Sequence, residues 1–135
     1  MPPDNATKSS TSTVQLDVAF FQETLDAGGM LLIDFWASWC APCLAFAPTF
    51  EGAARAHPDV TFGKVDTQAQ PELAAAFGIR AIPTLVAIKD GAVVFSQSGM
   101  LPRPALDELV GKLRDLDVSK LEHANRKGAG PRKTP

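Results

Sequence analysis

Met30 to Trp36 reads MLLIDFW, six apolar residues around a single aspartate. A strand-length run with so little polar alternation cannot keep one wet face and one dry face, so it must be buried on both. Covering layers are then required above and below it. In one short chain these come from helices joined to a sheet by right-handed crossovers. The neighbouring sequence supplies them. Val14-Gln15-Leu16 predicts a short strand, and Asp17 an N-cap for a helix running to about Ala27 that Gly28-Gly29 closes. A second helix is predicted from about Cys40 to Ala56, with a kink at Pro48, which cannot donate to the carbonyl of Leu44. Val60 to Asp66, VTFGKVD, reads as another central strand, and Pro71 opens a short helix, PELAAAF, ended by Gly78. Asp90-Gly91 between two β-rich runs marks a hairpin. A last helix from about Pro104 to Leu116 aligns Leu106, Leu109, Val110, Leu113 and Leu116 on one face. The order β-α-β-α-β-α-β-β-α predicts an α/β fold of three layers, α/β/α. Its central mixed sheet has about five strands, with about four helices around it.

The expected domain covers residues 14–117, between a polar, disordered lead (1–13) and a basic, disordered tail (118–135). From Ser119 onward five Lys/Arg and one Glu give +4, which leaves −6 for the rest of a chain whose net charge is −2. An acidic body argues against nucleic acid as a partner. No run approaches the roughly 20 apolar residues of a membrane-spanning helix, and the opening MPPDNATKSSTS lacks the apolar core of a signal peptide. With Met1 as the start, a cytoplasmic location is expected.

Both cysteines lie in WCAPC, Trp39 to Cys43, where the buried strand gives way to a helix. A structural staple, a metal site and a redox pair are the alternatives. Residues three apart on a helix sit about 5–6 Å apart at Cβ, close enough for a disulfide after modest tightening. Closing so small a loop would stabilise folding by only about 2 kcal/mol, so the bond makes a poor staple and an openable link. Cys40, Cys43 and His57 form C-x2-C-x13-H, close to three ligands of a zinc site, but no fourth ligand stands at the required spacing. The expectation is that no metal is bound. At the start of a helix Cys40 gains from unpaired N–H groups and the helix dipole, which favour the reactive thiolate. Pro42 suits the first turn, where its missing N–H costs nothing. Cys43, one turn further in, should be more buried, with a raised pKa.

Asp34 admits two readings. One is an edge residue whose carboxylate reaches water. The other is a desolvated carboxyl of raised pKa, a proton acceptor near neutrality, with Lys64 on the neighbouring predicted strand partly holding it ionised.

LIDFWASWCAPC, GKVDT, FGIRAIPTLVAIKDG and the later Gly99, in that order and spanning about Leu16 to Leu116, resemble the thioredoxin family. The resemblance implies a protein-disulfide reductase that carries out dithiol–disulfide exchange on target proteins. In it Cys40 is the nucleophile, Cys43 the resolving thiol, Asp34 the buried proton carrier and Lys64 its neighbour. Cys40 and Cys43 would alternate between dithiol and disulfide. Pro83 matches the family's cis-proline, packed against the cysteines. Trp39, Ala41, Pro42, Ile82 and Gly99 would form an apolar landing surface for targets, while Trp36 is read as packing. The resemblance also implies that no cofactor is bound and that electrons come from NADPH through a separate, flavin-dependent thioredoxin reductase. The expected partners are that reductase and disulfide-containing proteins, with no nucleic acid and no membrane, and the expected state is a monomer. A disulfide oxidase or isomerase, or a non-enzymatic binding module, could use the same fold. Two positions depart from the family pattern. The central dipeptide is Ala41-Pro42 where Gly-Pro is most frequent, and Leu44 follows the second cysteine where a basic residue is common. An altered reduction potential and partner preference are expected from them.

Overall fold

A computed structural model describes residues 12–120. The expected lead and tail therefore fall almost wholly outside the described residues. Residues 118–120 are helical, and Val118 is buried, so packed structure continues just past the expected boundary at 117.

Five strands, β1 (Val14–Gln15), β2 (Met30–Trp36), β3 (Val60–Asp66), β4 (Thr84–Lys89) and β5 (Ala92–Ser98), form one sheet in the order β1-β3-β2-β4-β5. β1, β3 and β2 run parallel, and β4 and β5 are antiparallel additions. Among the described residues, the helices α1 (Val18–Ala27), α2 (Ala41–Ala56), α3 (Pro71–Ala76) and α4 (Arg103–Asp115) flank the sheet, with the helical residues 118–120 beyond them. The three-layer α/β/α arrangement and the element order are those expected from the sequence.

Local signals explain the helix ends. The Asp17 carboxylate accepts from the Phe20 N–H at 2.8 Å at the start of α1, and Gly28, at φ 76°, ends it in the left-handed region. α2 runs continuously through Pro48. The C-terminus of α4 is held from outside: Lys89 Nζ donates to the carbonyls of Leu113, Arg114 and Leu116, the first of which also accepts the Leu116 N–H.

Alternation along β2 divides its residues between two cores. Leu32 packs with Phe62, Leu85 and Ala87, with Phe46 and Phe50 of α2, and with Leu106 and Val110 of α4. Leu31, Ile33 and Phe35 pack with Val65, Val86 and Ile88, under Phe21 of α1 and Leu73 of α3. Gly63 admits the close approach of Leu16 after β1, because a Cβ there would stand 2.5 Å from Leu16 Cδ1. At the lower end of β2 the Asp90-Gly91 turn is tied to the preceding loop. Asp90 Oδ1 accepts from Gly29 N–H at 2.8 Å, and Asp90 N–H donates to Gly29 O at 2.8 Å.

Candidate active site

The C-terminal end of β2 leads through a turn into α2, which places Cys40 as the N-cap and Cys43 in the first turn. The two sulfurs form a disulfide, with the Cα atoms 5.2 Å apart. Cys43 N–H donates to Cys40 Sγ at 3.2 Å. That contact is available to a thiolate as well, and it is the local form of the helix-start stabilisation expected for Cys40. Both cysteines are buried, Cys40 at 4% exposure and Cys43 at 1%.

Asp34 is fully buried. The reading in which its carboxylate reaches water is therefore overturned: β2 is the middle strand of the sheet, paired on both sides. Asp34 pairs in register with Lys64 of β3 and Leu85 of β4, and it points to the same face as Leu32, beneath α2. Neither carboxyl oxygen has a hydrogen-bond partner. Desolvation pushes its pKa from the usual 3.8 up to about 7, and the positive charge of Lys64 offsets part of that rise. A carboxyl in this state exchanges a proton near neutral pH. The Lys64 ammonium also lies 4.5 Å from the ring centroid of Trp36, which is half-buried and joins the cysteine cluster from below. Packing is thus the role the contacts give Trp36.

The remaining predicted residues come together at the same end of the sheet. The Ile82–Pro83 bond is cis, and Ile82 packs against Cys40 and Cys43 with its carbonyl oxygen 3.8 Å from Cys40 Sγ. Pro83 itself is buried, so it supports the landing surface from beneath and is not part of the exposed skin. Gly99, at φ 96°, donates its N–H to Pro83 O at 2.7 Å and stays exposed. Trp39, 66% exposed, and exposed Ala41 and Pro42 lie on the cysteine side of this surface. Leu44, 52% exposed, and Met100 extend the apolar skin of the molecule.

His57 is not near the cysteines. It caps the opposite end of α2, about 24 Å along the helix. There its ring binds Asp107 at 2.7 Å and Arg114 at 2.9 Å.

Two positioning residues were missed in the sequence. Ala37, fully buried, packs directly on the cysteine pair. Thr84 donates to the Ala81 carbonyl and contacts Ser98 Oγ at 3.2 Å, fixing the loop that carries Ile82 and Pro83. Its signal was a hydroxyl inside an otherwise apolar strand directly after a proline.

A family model described as Thioredoxin matches residues 12–112. A protein of Streptomyces coelicolor named "Putative thioredoxin 2" is 51% identical over 114 residues, covering 84% of this chain and 85% of that one. The thioredoxin of Rhodospirillum rubrum is 41% identical over 95 residues, covering 70% and 91%. Among solved structures, Fasciola hepatica thioredoxin superposes with a TM-score of 0.68 at 35% identity, over 74% of this chain and 97% of that one.

Proposed function

This chain belongs to the thioredoxin family and is a thiol–disulfide oxidoreductase acting on protein disulfides; from the geometry of its site we propose that Cys40 is the attacking thiolate, Cys43 the resolving thiol and Asp34 the buried proton acceptor. The observation that carries the assignment is the position of Cys40. It is the N-cap of a 16-residue helix, and its sulfur receives the N–H of its own partner cysteine. Cys40 thiolate attacks a target disulfide, forming one S–S bond to the target and releasing the other target sulfur as thiolate. The buried Cys43 thiol then passes its proton towards Asp34 and attacks Cys40 Sγ. The target leaves as a dithiol and this chain as the Cys40–Cys43 disulfide, two electrons having been transferred. Asp34 suits that step because its protonated and ionised forms are close in free energy near pH 7.

Ile82, Gly99, Trp39, Ala41 and Pro42 form the proposed landing surface, with Pro83 beneath it. A target strand would lie against the Ile82 backbone, where Pro83 has no N–H to compete for pairing. Electrons are proposed to reach the disulfide from NADPH through a separate flavin-dependent thioredoxin reductase, with no cofactor held by this chain. The proposed setting is the cytoplasm, where a reductant of this kind is useful, and the proposed state is a monomer. No helix among the described residues is long and apolar enough to cross a membrane.

Dithiothreitol-driven reduction of insulin tests the assignment. Wild type should accelerate it, Cys40→Ser should fall to background, and Cys43→Ser should accumulate a mixed disulfide with the substrate. Equal rates for wild type and Cys40→Ser would sink the reading. NADPH consumption in the presence of a purified thioredoxin reductase tests the electron source.

A further inference from the structure

Lys64 stands between two neighbours that attract a cation. It pairs in register with Asp34 on the adjacent strand, and Trp36, two residues further along β2, points to the same face of the sheet as Asp34. The half-buried ammonium lies 4.5 Å from the centroid of the Trp36 ring, inside the roughly 6 Å range of a cation–π contact. Neither Asp34 oxygen accepts a hydrogen bond from it or, among the described residues, from any other group. The ring itself is held at its backbone, where the Trp36 carbonyl accepts the Thr67 N–H at 2.8 Å and the Thr67 hydroxyl at 3.1 Å.

The surrounding groups leave the choice to these two. Asp66, the next residue of β3 on this face, directs its carboxylate to the N–H groups of Gln68 at 2.9 Å and Ala69 at 3.3 Å. On the other side of Lys64, β1 presents the uncharged Gln15. Beside Asp34, β4 presents Leu85, and the first turn of α2 carries the buried Cys43. Lys64 is the charge that acts on Asp34. A protonated Asp34 has little hold on the ammonium, which is then better placed over an indole face than over alkyl groups. An ionised Asp34 attracts it strongly in such dry surroundings. A seat on the ring therefore favours the protonated carboxyl, and it strengthens Asp34 as a base for Cys43.

We propose, resting on the reading in which Asp34 takes the Cys43 proton, that Trp36 is a positioning residue whose ring seats the Lys64 ammonium while Asp34 is protonated and releases it to the carboxylate when Asp34 is ionised. As the proton passes from Cys43 Sγ to Asp34, the carboxylate becomes neutral and the ammonium returns to the indole. Trp36 thus acts on the exchange through Lys64, beyond its packing beneath the cysteines.

NMR of the full-length oxidised protein provides the test, without substrate. Protons above an indole face are shifted upfield. In wild type the Lys64 Hε signals should therefore lie upfield at about pH 5 and move back as the Asp34 carboxyl, followed by its 13C shift, ionises. In Trp36→Leu the Asp34 midpoint should fall by about 1 pH unit, because the ammonium is left with the carboxyl as its partner. Water admitted by the smaller side chain would lower the midpoint too, and Lys64→Met separates the two causes. In the Lys64→Met background, the Trp36→Leu change should move the midpoint by less than about a third as much. Trp36→Phe, which keeps a weaker ring and most of the packing, should give an intermediate fall. Lys64 Hε shifts that stay constant through the Asp34 titration in wild type overturn the proposal, and so does an equal fall of the midpoint with and without Lys64. Equal insulin rates for wild type and Cys40→Ser would instead overturn the reductase reading, and with it the purpose given to the ring, while the Lys64 shifts report the contact separately.

Discussion

Replacing Asp34 by asparagine removes one ionisable group from the middle of the sheet while nearly preserving its shape, and the consequence for stability can be worked out in advance. The folded carboxyl titrates at about 7, against 3.8 for an ordinary aspartate. Between those values the folded protein still holds the proton and the unfolded chain has lost it. The unfolded state therefore binds fewer protons, and stability falls as pH rises through this window. At roughly 1.4 kcal/mol for each pKa unit, the total loss above pH 7 is about 4 kcal/mol. Part of it has already occurred by pH 5, so about 2.5 kcal/mol remains to appear between pH 5 and 8.5. Urea unfolding of the oxidised wild type and of Asp34→Asn at both pH values measures it. The quantity of interest is the change with pH in the gap between the two proteins, because the intrinsic cost of a buried amide is common to both pH values. Asp59, held at about 2 by the hydrogen bond from Arg114, and Asp107, lowered by hydrogen bonds from His57 and Arg103, ionise below this range and are shared by both proteins. The variant should gain on wild type by about 2.5 kcal/mol from pH 5 to 8.5. A gap constant to within about 0.5 kcal/mol would refute the argument that burial raises this carboxyl, and Asp34 would lose its claim to a proton-transfer role.

Two further outcomes follow from the packing and from the departures in the active-site sequence. Phe50 is fully buried between Phe46 and Phe62, at ring distances of 5.7 and 5.1 Å, so Phe50→Ala should cost about 3–5 kcal/mol in urea unfolding with little change in m-value. A loss below about 1 kcal/mol would mean that the core around α2 closes over the gap. Leu44→Lys restores a cation near the start of α2 and should favour the Cys40 thiolate, making alkylation by iodoacetamide at pH 6 about two- to fivefold faster. An unchanged pH profile would show that Leu44 has no electrostatic part in tuning this thiol.

The sequence exposed those features that depend on near neighbours along the chain. The apolar run Met30–Trp36, the Asp17 cap and the Asp90-Gly91 turn are written in local residue chemistry, and each element lies where that chemistry placed it. WCAPC and Ile82-Pro83 stood out as candidate site residues for the same reason, helped by family resemblance, and the structure brings them together. The strand order was less legible, because it depends on which apolar faces pack across the whole sheet. Register decided the fate of Asp34: its burial follows from pairing with both Lys64 and Leu85, and one strand alone could not exclude an edge position. Lys89 illustrates the same limit. It reads as an ordinary end-of-strand lysine, yet it binds the last carbonyls of a helix that begins 14 residues later.

The tie between Gly29 and Asp90 lies at the opposite pole of the sheet from the cysteines, about 20 Å away along β2. The molecule is therefore divided lengthwise into a pole that does chemistry and a pole that fastens strands together. Adaptation to heat or cold can proceed at the fastening pole, by shortening turns or strengthening the Asp90 link, without passing through the sulfur chemistry. Asp34, buried in the middle of the sheet, bridges the two demands. A substitution that hardened the protein by removing that carboxyl would, on the role proposed for it, also remove the proton exchange that supports attack by Cys43.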